Sequence, residues 1–276
     1  MSFRSVMLGL LVEDAAPPAA VTDYALAFCD SQRAHLSCRI IAPIIDLPTG
    51  RLVPLAQAVI DQVNAERRKR ADDVGTRLAA AATLSGVTAE ARTIQDYYAV
   101  ARADLITVSR ASDLVILPQS KGVLSFEAGL VEGVLFGSGR PVLVIPADWA
   151  GGCQFRRIVI AWDGSARAAR AVGDALPLLE QAEDIEVVCV VEGDAKTAAG
   201  AELSEHLARH SRRVRLTELP VQKDDDGGTL RDHVGYVKPD LLVMGAYAHA
   251  RVFQFIVGGV TSLMLTNASV PVLYSY

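Results

Sequence analysis

The stretch Asp240-Leu-Leu-Val-Met-Gly245 is a short apolar run that begins at an aspartate and ends at a glycine. Four successive apolar residues are typical of a strand buried on both faces of a parallel sheet. A loop follows and ends at Gly258-Gly259, where a helix is expected to start. Glycine lets a ligand approach the backbone closely, and the first helical turn points N–H groups at an anion. The stretch predicts either a phosphate-binding loop or an ordinary strand–loop–helix connection with glycines at its turns.

The same pattern occurs once earlier in the chain. Two pairs of segments align: Ser112–Pro118 with Pro239–Gly245, and Arg140–Ile145 with Val270–Ser275. From the end of the first segment to the proline of the second there are 23 residues in the first copy and 26 in the second. Pro118, which has no N–H, stands in place of Gly245. The first copy therefore has a shortened loop that is poorly suited to phosphate, and its Lys121 is expected to be solvated.

Short apolar runs alternate with longer helical patterns in both halves. The first half predicts strands at 6–12, 36–43, 87–95, 113–117 and 141–145, with helices at 19–33, 55–85, 97–109 and around 131–136. The second half predicts strands at 158–162, 185–191, 213–221, 241–244 and from 271, with helices at 166–179, 196–211, 229–237 and after 258. Repeated strand–helix units predict parallel sheets covered by helices on both faces. The segment 146–152, with a proline and two glycines, is the expected linker.

Length and composition predict two globular domains, 1–148 and 154–276, in a chain of 276 residues that is 51% apolar. Residues 1–150 carry 14 Lys/Arg against 16 Asp/Glu, and residues 151–276 carry 13 against 16. Because neither half is basic, nucleic acid is not expected as a partner. Four cysteines without CxxC spacing favour a reducing cytoplasm. No apolar stretch approaches the roughly 20 residues that cross a membrane, so no membrane partner is expected.

Three other polar clusters have structural interpretations. His206 and His210 are four residues apart on a predicted helix and have no third ligand nearby in sequence, so a solvated helix face is expected. Acidic residues surround the basic run 66–70, which predicts an exposed charged face. The segment 223–228 lacks the spacing of a calcium loop and is expected to form a polar turn. No metal site is predicted.

The sequence Ile158-Val-Ile-Ala-Trp-Asp-Gly-Ser165 resembles the first strand of the universal stress protein family, which ends in Asp-Gly-Ser. Nucleotide-binding members carry Gly-x2-Gly-x9-Gly-Ser/Thr after strand four; here Gly245 and Gly258 match the first and third glycines. Ala248 replaces the second glycine, Gly259 replaces Ser/Thr, and Thr261 matches a second hydroxyl position. The whole chain resembles a tandem member. The resemblance implies two flavodoxin-like or Rossmann-like domains, each a five-stranded parallel sheet of order 3-2-1-4-5, the first of them degenerate.

The resemblance also implies an adenine-nucleotide site in the second domain. Asp163 would face the nucleoside, or it would only cap its helix. Backbone groups of Val190 and Val191 would pair with the adenine edge, or both would be core valines. His249 and Arg251 would counter phosphate charge, or be solvated. The remaining residues of the implied site are Ala161, Trp162, Gly245, Ala248, and the phosphate-holding Gly258, Gly259, Val260 and Thr261.

Three functions are compatible with these residues. The first is a stress-response regulatory protein that binds ATP or AMP, with Mg²⁺ accompanying ATP, and acts through association. The second is a slow ATP hydrolase, for which Asp163 and His249 are the available bases. The third is a scaffold that binds no nucleotide, which the replacement Ala248 favours. The resemblance implies pairing through the last strand, as in single-domain members, so 141–145 and 271–274 are expected to pair within the chain. It is also compatible with a homodimer of the whole chain.

Overall fold

The computed structural model describes residues 2–46, 53–191, 199–211, 213–223, 225–246 and 259–276. The first half runs β1 (Ser5–Leu11), α1 (Ala19–Gln32), β2 (His35–Pro43), α2 (Val53–Leu84), β3 (Ala89–Asp96), α3 (Tyr98–Ser109), β4 (Leu114–Pro118), α4 (Phe126–Gly137) and β5 (Val142–Ile145). The second half runs β6 (Arg157–Ala161), α5 (Ala166–Leu179), β7 (Asp184–Val191), α6 (Ala199–Leu207), β8 (Val214–Pro220), α7 (Asp226–Val237), β9 (Leu241–Gly245), α8 (Val260–Asn267) and β10 (Val272–Ser275). Strands and helices therefore alternate as the sequence pattern predicts.

Two helices begin earlier than expected because a side chain caps each of them. Ser125 accepts the N–H of Ala128 at 3.1 Å, so α4 starts at Phe126 and not near residue 131. Asp225 accepts the N–H of Gly228 at 2.8 Å, so α7 starts at Asp226 and not at Thr229. The expected polar turn at 223–228 is therefore partly the first turn of a helix.

The ten strands form one sheet in the order β3-β2-β1-β4-β5-β10-β9-β6-β7-β8. Each half has the expected order 3-2-1-4-5, with parallel neighbours. The halves meet where β5 runs antiparallel to β10, with Leu143 opposite Leu273. The two-domain α/β architecture and the pairing of the last strands are confirmed, and the pairing merges the two sheets. The expected linker lies between β5 and β6, whereas the domain boundaries 1–148 and 154–276 stay a prediction.

Helices cover both faces of this sheet. The core on one face combines strand residues with α1, α2, α5 and α6, as shown by Phe28, Leu78, Ala171 and Leu203. The core on the other face combines strand residues with α3, α4, α7 and α8, as shown by Leu105, Leu130, Leu230 and Met264. Because successive strand residues enter opposite cores, the central strands are apolar throughout.

An aspartate just before the fourth strand of each half fixes the start of the first strand. Asp113 Oδ2 accepts the N–H of Arg4 at 2.8 Å and of Ser5 at 2.9 Å. Asp240 Oδ2 accepts the N–H groups of Arg156 and Arg157, both at 2.8 Å. The repeat seen in the sequence is therefore a repeat of hydrogen bonds.

The loop after β4 contacts the other half of the molecule. Gln119 Nε2 donates to the carbonyl of Ala268 at 3.0 Å, and Ser120 Oγ donates to the carbonyl of Leu265 at 3.3 Å. The last carbonyls of a helix have no partner within it, so these bonds close the C-terminal end of α8. The shortened loop of the first half thus supports a helix of the second.

Replacing Ser120, which is only 3% exposed, with alanine is expected to lower the free energy of unfolding by about 1 kcal/mol. The carbonyl of Leu265 would lose a donor inside the contact between the halves. The urea midpoint measures this loss. Thr107→Ala, which removes a hydroxyl bonded to Ala103 on an exposed helix face, serves as control and should change stability by less than about 0.5 kcal/mol. Equal losses in both variants would show that the Ser120 hydrogen bond to Leu265 adds nothing to stability.

Candidate functional site

The carboxyl ends of β6, β7 and β9 lie at one edge of the sheet. Ala161 at the end of β6 pairs with Met244 of β9 on one side and with Val188 of β7 on the other. The chain leaves β6 toward β7 and later returns to the opposite side of β6 as β9. Ligands of open α/β sheets bind outside the strand ends at such a reversal. We name this region, from Ala161 to Asp163 and around Gly245, the second-half edge.

Asp163 lies at the second-half edge with an exposed side chain. The preceding residue, Trp162, extends the ladder by donating its N–H to the carbonyl of Val188 at 2.8 Å. Asp163 Oδ1 accepts the N–H of Ser165 at 2.9 Å, and Ser165 Oγ in turn caps α5 by accepting the N–H of Ala168 at 3.1 Å. Ser165 is therefore the cap, and the turn fixes the Asp163 carboxylate at the surface.

Gly245 is required by the packing of α5. A Cβ at this position would lie 2.6 Å from the backbone nitrogen of Ala168 and 2.8 Å from the carbonyl carbon of Arg167. Backbone atoms of a helix cannot move aside as a flexible side chain can. The first turn of α5 therefore rests directly on the end of β9, and it brings Asp163 next to Gly245.

Gly259 marks the start of α8 with φ 122° and ψ 153°, a conformation that residues with a side chain rarely adopt. This conformation suits the glycine that stands where the resemblance implied Ser or Thr. Having no side chain, Gly259 cannot cap the helix that begins at Val260. Thr261, in the first turn of α8, is buried. Four of the predicted site residues lie outside the described part of the chain: Ala248, His249, Arg251 and Gly258.

Val190 and Val191 end β7 beside this edge. The side chain of Val191 belongs to the core under α5, and that of Val190 packs on the opposite face. The carbonyl of Val191 accepts the N–H of Val221 at 3.0 Å. Both valines therefore contribute to the cores, as the alternative interpretation held, while their backbone lies at the edge.

The corresponding edge of the first half is filled by its own side chains. Val12 donates its N–H to Ile41 at 2.8 Å, as Trp162 does to Val188, so Glu13 stands where Asp163 stands in the second half. Arg67 of α2 is only 8% exposed and donates to the carbonyl of Pro43 at 3.2 Å and to Asp14 at 3.1 Å.

The expectation that the run 66–70 is an exposed face is therefore wrong for Arg67. Arg70 also turns toward the strand ends, where it donates to the carbonyl of Glu13 at 2.7 Å. Helix α2 is long enough, at 32 residues, to pass over the ends of β1 and β2. Periodicity alone could not show which of its turns crosses them.

In the first half, the loop after β4 and the start of α4 find hydrogen-bond and charge partners within the protein itself. Lys121 Nζ lies 3.7 Å from Glu127 Oε1, and Ser125 caps α4. Burial and the neighbouring Glu127 carboxylate raise the pKa of Glu13. The cations of the first-half edge are thus paired with its own carboxylates and carbonyls, and Ser125 caps the helix, so this edge does not suit a phosphate.

The buried carboxylate of Glu186 lies away from both edges. Glu186 on β7 is 3% exposed and accepts from Thr217 at 2.7 Å and from Arg215 at 2.9 Å, with His233 Nε2 at 3.2 Å. Burial alone would raise the pKa of Glu186, but the hydrogen bonds from Arg215 and Thr217 outweigh it and lower the pKa. The carboxylate therefore ties β8 and α7 to β7, a role for which the sequence pattern carries no signal.

The histidine pair behaves as a surface feature. The rings of His206 and His210 are 5.1 Å apart, and His210 Nδ1 lies 3.4 Å from Glu180 Oε1. Within the described ranges, no group of three or more His, Cys, Asp or Glu residues is placed to hold a metal ion. The described helices likewise include none that is long and apolar enough to cross a membrane.

Comparisons with known proteins agree with this architecture. Residues 154–274 match the model of the Universal stress protein family. A universal stress protein from Archaeoglobus fulgidus DSM 4304 superposes with a TM-score of 0.77 at 19% identity, covering 99% of this chain and 97% of that one. A putative universal stress protein from Pseudomonas aeruginosa UCBPP-PA14 gives a TM-score of 0.59 at 14% identity, covering 99% of this chain and 93% of that one.

A functionally unknown protein from Pseudomonas aeruginosa PAO1 gives a TM-score of 0.55 at 14% identity, covering 99% of this chain and 92% of that one. At these identities the three structures show the fold. No curated protein matches the sequence. Residues 154–274 are therefore identified by sequence as a universal stress protein domain, and the first half repeats the strand order of that domain.

Proposed function

We propose that the second half binds an adenine nucleotide, ATP or AMP, and that the protein acts in the stress response of the cytoplasm through association and not through catalysis. The observation that carries this proposal is a contrast between two helix starts. Gly259, the residue before α8, has no side chain to cap the helix, whereas Ser125, the residue before α4, caps it through its Oγ. A helix start without a capping side chain favours an external anion.

The residues of the second-half edge fit such a ligand. The exposed Asp163 carboxylate could accept hydrogen bonds from ribose hydroxyls, and the backbone at the paired ends of β6 and β7 would meet the adenine edge. The N–H groups of Gly259 and Val260 would meet the phosphates. Mg²⁺ would enter with ATP and offset its phosphate charge. Asp163 is already oriented by the N–H of Ser165, which suits binding more than proton transfer.

Heat extraction of the purified protein, followed by chromatography of the supernatant, tests for a bound nucleotide. We expect an adenine nucleotide from the wild type and none from Gly258→Asp, whose carboxylate would repel phosphate. In calorimetric titration, Asp163→Ala should weaken ATP binding by at least about tenfold, because a charged hydrogen bond is lost. Glu13→Gln changes the corresponding residue of the first half and should leave the affinity unaltered.

Two other results would replace the proposal. A wild type that releases no nucleotide and gives no heat with ATP or AMP would identify the chain as a scaffold. Turnover of labelled ATP above the level of Gly258→Asp would identify it as a hydrolase. Equal loss of binding in Asp163→Ala and Glu13→Gln would place the ligand elsewhere.

A further inference from the structure

A cation and two aromatic rings connect the second-half edge to the first half. The Arg167 guanidinium lies 4.3 Å from the ring centroid of Tyr276. The Tyr276 ring meets the ring of Phe136 edge to face, with centroids 4.7 Å apart. Arg167 belongs to the first turn of α5, Tyr276 follows β10, and Phe136 lies in the last turn of α4. The stack therefore fixes a positive charge at a defined place.

That place is close to the proposed nucleotide. The backbone of Arg167 packs on Gly245, and Gly245 pairs with Ser275, the residue before Tyr276. Arg167 is thus in the same helical turn that follows Asp163 and Ser165. The charge lies at the strand ends where a ligand of an open sheet is held.

The described surroundings of the α8 start are acidic, which makes a nearby cation important. A Cβ at Gly227 would lie 3.3 Å from Val260 Cα, so the start of α7 packs against the start of α8. The carboxylates of Asp225 and Asp226, at the cap and in the first turn of α7, come with it. Carboxylates repel phosphates, so a bound nucleotide with several phosphates needs positive charge at this edge.

We propose that Arg167 binds the phosphates of the nucleotide and that Tyr276 positions its guanidinium. This inference rests on the proposed function of the same site. A guanidinium stacks on a ring through its face and bonds phosphate through its edge, so both contacts form together. Arg167 then sets the preference of the site for nucleotides with more phosphates.

Titration with ATP, AMP and adenosine tests the role of Arg167. Arg167→Ala should weaken ATP binding by about tenfold, AMP binding by less, and adenosine binding hardly at all. A general loss of structure would weaken all three alike. Arg209→Ala removes the same charge from an exposed position after α6, near the opposite edge of the sheet, and should leave all three affinities unchanged.

The Tyr276 variants test the positioning. Tyr276→Phe keeps an aromatic face and should retain the ATP affinity. Tyr276→Leu should bind ATP several-fold more weakly than the wild type and bind adenosine with unchanged affinity. Unfolding midpoints of all variants identify any that fail to fold. If the wild type binds ATP and Arg167→Ala binds it with the same affinity, this inference is overturned and the proposed function is not. A wild type that binds none of the three ligands would overturn the proposed function and this inference with it.

Discussion

Replacing Glu186 with glutamine is expected to lower the free energy of unfolding by about 3 kcal/mol at pH 7. The variant removes the charge that pairs with Arg215, which keeps only Asp184 at 2.8 Å, and its amide N–H₂ must face either the Arg215 or the Thr217 donor. The value is at the lower end for broken buried pairs because the Arg215 side chain is 44% exposed and regains water. Urea unfolding measures the change.

The same variant should alter the dependence of stability on pH. The pKa of Glu186 lies below its ordinary value of 4.5 in the folded chain, so the folded state binds the proton less tightly than the unfolded state. The contribution of Glu186 to stability is complete above the pKa that this carboxyl has in the unfolded chain. It is lost as the pH falls through the pKa that the carboxyl has in the folded chain. As the pH falls from neutral to acid, the difference in the free energy of unfolding between the wild type and Glu186→Gln should become smaller.

Glu218→Gln is the matched control for this experiment. Glu218 lies on β8 with an exposed side chain, and its replacement should change stability by less than about 0.5 kcal/mol. If the two glutamine variants are equally stable, or if the gap for Glu186 widens in acid, the hydrogen-bonded carboxylate is not the source of stability.

Gly245→Ala should lower the free energy of unfolding by about 2 kcal/mol and also remove nucleotide binding. The added methyl group would meet the backbone of Ala168 and Arg167, so α5 must move away from β9. That movement separates Asp163 and Arg167 from the strand end. Thermal unfolding and ATP titration measure the two effects.

Gly173→Ala gives a control of opposite sign in the same helix. Nothing lies within 4 Å of a Cβ at Gly173, so alanine should stabilise α5 by about 0.5–1 kcal/mol. Nucleotide affinity should stay as in the wild type. A Gly245→Ala protein as stable as Gly173→Ala would mean that α5 does not depend on contact with Gly245.

The fold was predictable because the apolar runs of a doubly covered sheet are continuous and the repeat is visible in the sequence. The starts of α4 and α7 were not, since the caps Ser125 and Asp225 precede the apolar periodicity that a pattern detects. The direction of Arg67 was also hidden, because it depends on where a long helix crosses two strands that are distant in sequence.

The candidate site was predictable only in part. Asp163 follows β6 and Gly245 ends β9, and the strand order places these two strands side by side. The reason for glycine at 245 is different from the one expected, since α5 requires it whether or not a ligand is bound. Arg167 carried no signal in the sequence, because its partner Tyr276 is distant in sequence and the contact follows from tertiary structure.

The antiparallel pairing of β5 with β10 determines how the contact between the two halves responds to dilution of the protein. An interface between two separate chains weakens by mass action as their concentration falls, but here one polypeptide carries both strands. Their effective concentration is fixed by the connecting segment and stays the same at any protein level. The two halves therefore remain paired when the protein is scarce.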